Sequence, residues 1–302
     1  YLKSHAQPDA RHENGRGKYR RSILDELSKM VLSKFANKSF FTRLISGIVL
    51  VALILVTIIP GGNILFFFNM FLSVAALYEL YKVLGLENKL PGITGYIALI
   101  VYYALIYIGK EDYVITLLVV FLICLLAEYV FMFPKYKTEE ISNAIMCMLY
   151  GGILLSYIYL VRNGENGTYL VWLIFLCSWA SDTCAYVAGV AFGKHKMAPV
   201  LSPKKSVEGA VGGVVGAAAL GAIYAAVFSD KINLSINPVI ACAIICAIGA
   251  LISMIGDLAA SAIKRNHDIK DYGKLIPGHG GIMDRFDSVI YVAPIIWILI
   301  QL

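Results

Sequence analysis

Nine long apolar runs follow one another along this chain, separated by glycine, proline or clusters of charge. The runs fall at about 42–59, 64–84, 92–108, 113–133, 141–161, 168–192, 207–228, 238–263 and 287–302. A helix rises ~1.5 Å per residue and the hydrocarbon core is ~30 Å thick, so about 20 apolar residues span it. In lipid every backbone N–H and C=O must be paired internally, which leaves helices and closed barrels as spanning structures. The runs show no two-residue alternation, so they do not read as barrel strands. Charged residues make up 15% of the chain, against roughly a quarter in a soluble domain. The expected fold class is all-α: a polytopic integral membrane helical bundle of about nine transmembrane helices, the ninth run being short.

The net charge of +6 is mostly a property of one end. Residues 1–38 hold nine Lys/Arg against four Asp/Glu, and the rest of the chain seventeen against sixteen. A nucleic-acid partner is therefore not indicated, and an anionic membrane surface suits the tail better. Within it, Ile23, Leu24, Leu27, Met30, Val31 and Phe35 recur at helical spacing, which predicts a short interfacial helix. No apolar core of a secretory signal occurs there. The chain is expected to divide into this tail (1–38), a five-span region (39–165) and a four-span region (166–302).

Orientation follows from the loops. With the N-terminus inside, alternate loops carry thirteen Lys/Arg and the opposite loops only Lys110, Arg162 and Lys231. That bias predicts a cytoplasmic N-terminus and an outer C-terminus; chain length and short loops point to a bacterial plasma membrane. The six cysteines lie in apolar segments without CxxC spacing, so they read as small buried residues rather than ligands or disulfides.

Ionisable groups concentrate in the second half. Asp182 and Asp257 lie inside apolar segments, Glu208 opens another, and Asp284 and Asp287 adjoin the last. A charge at the bilayer centre costs about 2.5–3.5 kcal/mol on insertion scales, so such groups must be paired, protonated, metal-bound or facing water. Glu79 and Glu128, nearer segment ends, are expected to reach water, and Glu208 to pair with a lysine. All five second-half carboxylates fall toward the cytoplasmic ends and could line one cavity. Cations share that face: "SPKKS" at 202–206 leads into a helix start, which favours anions, and Lys264, Arg265, Lys270, Lys274, His279 and Arg285 follow in the next inner loop. The glycines of "GHGG" permit unusual backbone angles and close approach. Carboxylates with cations point to a metal–phosphate substrate, and Mg²⁺ suits a few carboxylates plus phosphate oxygens. Zinc spacings, a Walker A loop and GxSxG are absent from the sequence.

Residues 261–287 read "SAIKRNHDIKDYGKLIPGHGGIMDRFD". This resembles, nearly position for position, the pattern of the phosphatidate cytidylyltransferase (CDP-diacylglycerol synthase) family, matching at Ser261, Lys264, Arg265, Lys270, Asp271, Gly273, Pro277, His279, Gly280, Gly281, Asp284, Arg285 and Asp287. "SDTCAYVAGVAFGKHKMAPVLSPKKSVEGAVGG" is similar to the family's second conserved region, with Ser206 where the family usually has Thr. The resemblance implies an all-helical, dimeric, magnesium-dependent enzyme, with a polar funnel open to lipid and cytoplasm. CTP and phosphatidic acid would give CDP-diacylglycerol and pyrophosphate. It implies Asp257 and Asp284 as principal ligands of Mg²⁺, with Asp287 and Asp182 beside them and a second cation left open. Lys204 and Lys205 would hold CTP phosphates. Arg285, with Lys264 or Arg265, would hold the lipid phosphate or leaving pyrophosphate. Ser202, Lys270, His279, Gly280 and Gly281 complete the expected substrate contacts. Two rival readings are a CTP-dependent polyprenol or phytol kinase, which resembles this family in its C-terminal half, and an ion-coupled transporter with buried carboxylates.

Overall fold

A computed structural model describes residues 38–301, residue 235 excepted. The interfacial helix expected over 20–35 lies outside the described residues. Among the described residues nine long helices follow one another: α1 (Lys38–Ile58), α2 (Gly62–Val83), α3 (Leu90–Tyr107), α4 (Val114–Phe131), α5 (Thr138–Asn163), α6 (Gly167–Phe192), α7 (Val207–Val227), α8 (Pro238–Asn266) and α9 (Met283–Leu299). α5 and α6 each contain a π-helical turn, at Met148–Ile153 and Leu176–Ala180. Helices α1 to α8 are long and apolar enough to cross a membrane. α9, at 17 residues, is the short ninth run and would rise about 26 Å. The chain is thus an all-α polytopic membrane protein with one local exception. A two-stranded antiparallel hairpin, β1 (Lys196–Ala198) and β2 (Ser202–Ser206), stands between α6 and α7.

Helix boundaries follow from local chemistry. Pro91 sits in the first turn of α3 and Pro238 opens α8, where a missing N–H costs nothing. The Asn237 side chain accepts from Val239 N at 2.9 Å, capping α8. At the far end of α1, Arg162 donates to the carbonyls of Ile58 (2.9 Å) and Ile59 (3.0 Å). A cation on the last carbonyls of a helix satisfies them and opposes the dipole.

α1 and α4 are mostly exposed, whereas α5 is mostly buried. Several polar groups inside the first half are hydrogen-bonded between helices. Asn69 Nδ2 donates to Leu155 O (2.9 Å), Ser73 Oγ and Tyr103 OH lie 2.6 Å apart, and Tyr102 OH meets Ser156 Oγ at 2.7 Å. Lipid offers no alternative partners, so such pairing fixes helix register. The halves on either side of residue 165 are packed together: α9 lies against α5, with the Tyr150 and Tyr291 rings 5.6 Å apart.

In the second half, small residues set the helix spacing. Gly209, Gly213, Ala217, Gly221 and Ala225 recur every fourth position along the buried face of α7, which lets neighbouring backbones approach closely. All six cysteines are free; Cys147, Cys177, Cys242 and Cys246 are buried, Cys184 is half-buried and Cys124 is exposed. Several fill these contacts: a Cβ on Gly221 would come within 2.5 Å of Cys246 Sγ, and one on Gly249 within 2.5 Å of Cys177 Sγ. Gly221→Val is therefore expected to push α7 off α8 and destabilise the protein by about 1–3 kcal/mol. A lowered thermal midpoint in detergent would show it.

Candidate active site

The site lies where the hairpin, the last turns of α6 and α8 and the first turns of α7 and α9 meet. "SPKKS" forms a strand rather than the plain lead into a helix. Side chains alternate along a strand, so Lys204 is exposed while Lys205 turns inward and pairs through Nζ with Asp257 on α8. Ser206 is buried and caps α7, accepting from Gly209 N at 3.1 Å. Glu208 does not pair with a lysine. It takes His195 Nδ1 at 2.6 Å and the N–H groups of Lys194 (3.0 Å) and His195 (3.2 Å), closing the loop between α6 and the hairpin. The π turn of α6 ends just before Asp182; such turns insert a residue into the helical ladder and recur at functional sites.

These elements enclose a cavity of about 680 Å³, lined by Asp182, Asp257, Asp284 and Asp287 and by Lys196, Lys204, Lys205, Lys264 and Arg285, with Ser202 at its edge. Four carboxylates from three helices thus face five cations. Asp257 stands within electrostatic range of both Asp182 and Asp287. Lys264 Nζ is 3.1 Å from Asp284 Oδ1 and lies over the Tyr272 ring, 5.4 Å from its centre.

Asp284 is also a structural clamp. Its Oδ2 accepts from Tyr272 N (2.8 Å) and Gly281 N (2.9 Å), so it ties the "KDYGK" and "GHGG" loops to α9. Only Oδ1, shared with Lys264, is left for another partner. Beside it, Glu79 from α2 reaches across the molecule. Its carboxylate accepts from Ile282 N (3.1 Å) and Met283 N (2.9 Å), at the start of α9. The first N–H groups of a helix have no intrahelical acceptor and carry partial positive charge, so a carboxylate there satisfies both needs. Glu79 is only 4% exposed, which overturns the expectation that it reaches water. Glu128 is half-buried and accepts from Thr94 Oγ1. The glycines behave as anticipated: Gly280 has φ +86°, and a Cβ on Gly281 would come 2.3 Å from both Glu79 oxygens.

Residues 41–302 match the cytidylyltransferase family. The chain belongs to this family. It is 32% identical over 261 residues to the phosphatidate cytidylyltransferase of Staphylococcus saprophyticus, covering 85% of this chain and 98% of that one. It is 33% identical over 263 residues to the enzyme of the same name from Staphylococcus haemolyticus, and 31% identical over 261 residues to that of Staphylococcus aureus, with the same coverage.

Within this cytidylyltransferase, the sequence-predicted residues fall into two groups. Ser202, Lys204, Lys205, Lys264, Asp182, Asp257, Asp284 and Asp287 line the carboxylate-bearing cavity. Lys270, His279 and Gly280 line a second cavity on the other side of the "GHGG" loop, and Arg285 borders both. Gly281 lies beneath Asp284. Arg265 lines neither and is exposed: consecutive helical residues point ~100° apart, so Lys264 facing inward turns Arg265 outward. Glu79 was missed as a site residue because its partners lie 203 and 204 positions away. Its one sequence signal is an acid within an apolar span.

No group of three His, Cys, Asp or Glu side chains gathers to hold a metal among the described residues. Mg²⁺ does not need one, since it takes one or two carboxylates and fills its shell with phosphate oxygens and water. Neighbouring carboxylates with free oxygens, Asp257 and Asp287 with Asp182 nearby, fit that donor set. Asp284 fits it through Oδ1 alone.

Proposed function

We propose that this protein transfers CMP from CTP to phosphatidic acid, giving CDP-diacylglycerol and pyrophosphate, as a step in phospholipid synthesis. The observation that carries the reading is the cavity itself: four carboxylates and five cations converge from helices and a hairpin far apart in sequence, in a chain of the cytidylyltransferase family. An oxygen of the lipid phosphate attacks the α-phosphorus of CTP, the bond to the β-phosphate oxygen breaks, and pyrophosphate leaves with the electron pair. No covalent enzyme nucleophile is needed, so the protein's work is to position two anions and neutralise charge. Lys204 and Lys205 take the nucleotide phosphates, and Arg285 stands where both substrates meet. Asp257 and Asp287, with Asp182 and Asp284 Oδ1 adjacent, would hold Mg²⁺, which would supply charge neutralisation for the phosphates. On this reading the site and the N-terminus face the cytoplasm at a bacterial plasma membrane; the cation excess of the loops on this end supports it. A homodimer belongs to the same reading, through the family resemblance.

Purified protein incubated with labelled CTP, phosphatidic acid and Mg²⁺ is expected to place label in the lipid and release pyrophosphate. Chelation of divalent ions should stop it. Release of CDP with a phosphorylated lipid alcohol would favour the kinase reading instead, and absence of any nucleotide turnover would leave the transporter.

A further inference from the structure

The second cavity, about 630 Å³, is lined by Arg43, Lys270, Lys274, His279 and Arg285, with Asp271 as its one carboxylate. Four fixed cations against one acid differ from the near balance of the first cavity. No ion-pair partner is present for any of these four cations among the described residues. Two buried atoms of the lining, His279 Nδ1 and Arg285 Nε, find no hydrogen-bond partner. A buried polar atom without a partner costs free energy, and here both border the same cationic space. Burial, then Arg285 and Arg43, holds His279 below the ordinary imidazole range, as a cationic neighbourhood requires.

Arg43 comes from outside the family motif. α1 docks on the "GHGG" loop: Ser46 Oγ donates to Pro277 O at 2.6 Å, and a Cβ on Gly278 would meet Arg43 Cγ at 3.1 Å. From Leu44 onward α1 exposes a run of apolar side chains, including Ile45 and Ile48. Arg43 thus stands at the end of a lipid-facing helix, the level at which lipid phosphates lie. The first cavity has carboxylates for a metal-bound polyphosphate; the second has none to spare and suits a phosphate that is neutralised by arginine and lysine alone.

We propose that this second cavity seats the phosphate monoester of the lipid acceptor, that Arg43 on α1 is a specificity-determining residue for it, and that Arg285 is the point where lipid and nucleotide phosphates meet. Only the identity of the lipid rests on the transfer reading above. A phosphate monoester carries about −1.5 to −2 charges near neutral pH, opposite in sign to the cation excess here and within its capacity.

The test is the Arg43→Ala variant in mixed micelles, with phosphatidate and CTP varied separately. The KM for phosphatidate should rise about tenfold or more, that for CTP should stay within about twofold, and Arg43→Lys should recover part of the loss. Without CTP, phosphatidate should raise the thermal midpoint of the wild type and not of Arg43→Ala. An unchanged lipid KM and thermal shift would overturn the proposal. So would a selective rise in the KM for CTP, or weakened inhibition by added pyrophosphate with lipid binding intact, which would make the cavity the leaving group's seat. If the wild type transfers no CMP, the thermal shift still decides whether the cavity binds this headgroup.

Discussion

Asp257→Asn is expected to cut CMP transfer by about a hundredfold or more while leaving the protein folded. The two halves of this expectation have separate physical grounds. Asp257 faces the cavity from the last turns of α8, and its pair with Lys205 is partly exposed, the side chains being 27% and 25% accessible. Partly exposed pairs contribute about 0–1 kcal/mol; Lys205 Nζ is itself buried but keeps Asp182 as a second nearby counter-charge, so the thermal midpoint should move little. In the proposed reaction function depends on the charge itself, which offsets Lys205 and would supply a cation ligand among phosphates. Asparagine keeps the shape and one weak oxygen donor but loses that charge. Asp284→Asn should behave differently. Its Oδ2 holds Tyr272 N and Gly281 N, and losing the charge weakens both bonds and frees Lys264, so stability and turnover should fall together. Radiolabel transfer beside a thermal melt of each variant separates the two cases. Full activity in Asp257→Asn would reject the assignment of Asp257 to the metal and phosphates.

Glu79→Ala should be the most damaging change in the first half of the chain. It deletes the acceptor for Ile282 N and Met283 N and leaves two buried donors at a helix start. Each charge-assisted bond is worth about 1.5–3 kcal/mol, and an unsatisfied buried group costs about as much. A loss of roughly 3 kcal/mol or more is therefore expected, with a matching fall in the thermal midpoint. The chemistry should suffer as well, because α9 carries Asp284, Arg285 and Asp287 in its first turns. Glu79→Gln retains an oxygen acceptor and should fall between wild type and alanine in both assays. A stable, active Glu79→Ala protein would show that the start of α9 is held by other contacts.

The two variants trace how far the site was readable along the chain. The carboxylates of the C-terminal block stood out because an acid beside an apolar run is costly wherever it lies. The bond between Asp284 and Gly281 N, three positions apart, is within reach of a local reading. Arg265 matches the motif by position, but its helical phase turns it outward, away from both cavities. Arg43 gave no such signal, and Glu79, though an acid in an apolar span, gave no hint of its partners, since each acts on a loop more than 190 residues away.

By itself the sequence determined that the chain is a bundle of membrane helices, where they begin and end, and that one end of it gathers charge. Those properties depend on apolar length, on glycine and proline, and on the cost of placing charge in lipid, all of which are local. Tertiary structure alone decided that the charges divide between two cavities, that the "SPKKS" stretch is a strand aiming Lys205 at Asp257, and that α1 and α2 supply Arg43 and Glu79 to the loops of the last helix pair. Those facts follow from helix rotation and packing across the bundle, which small-residue contacts and buried hydrogen bonds set between segments that are distant in sequence.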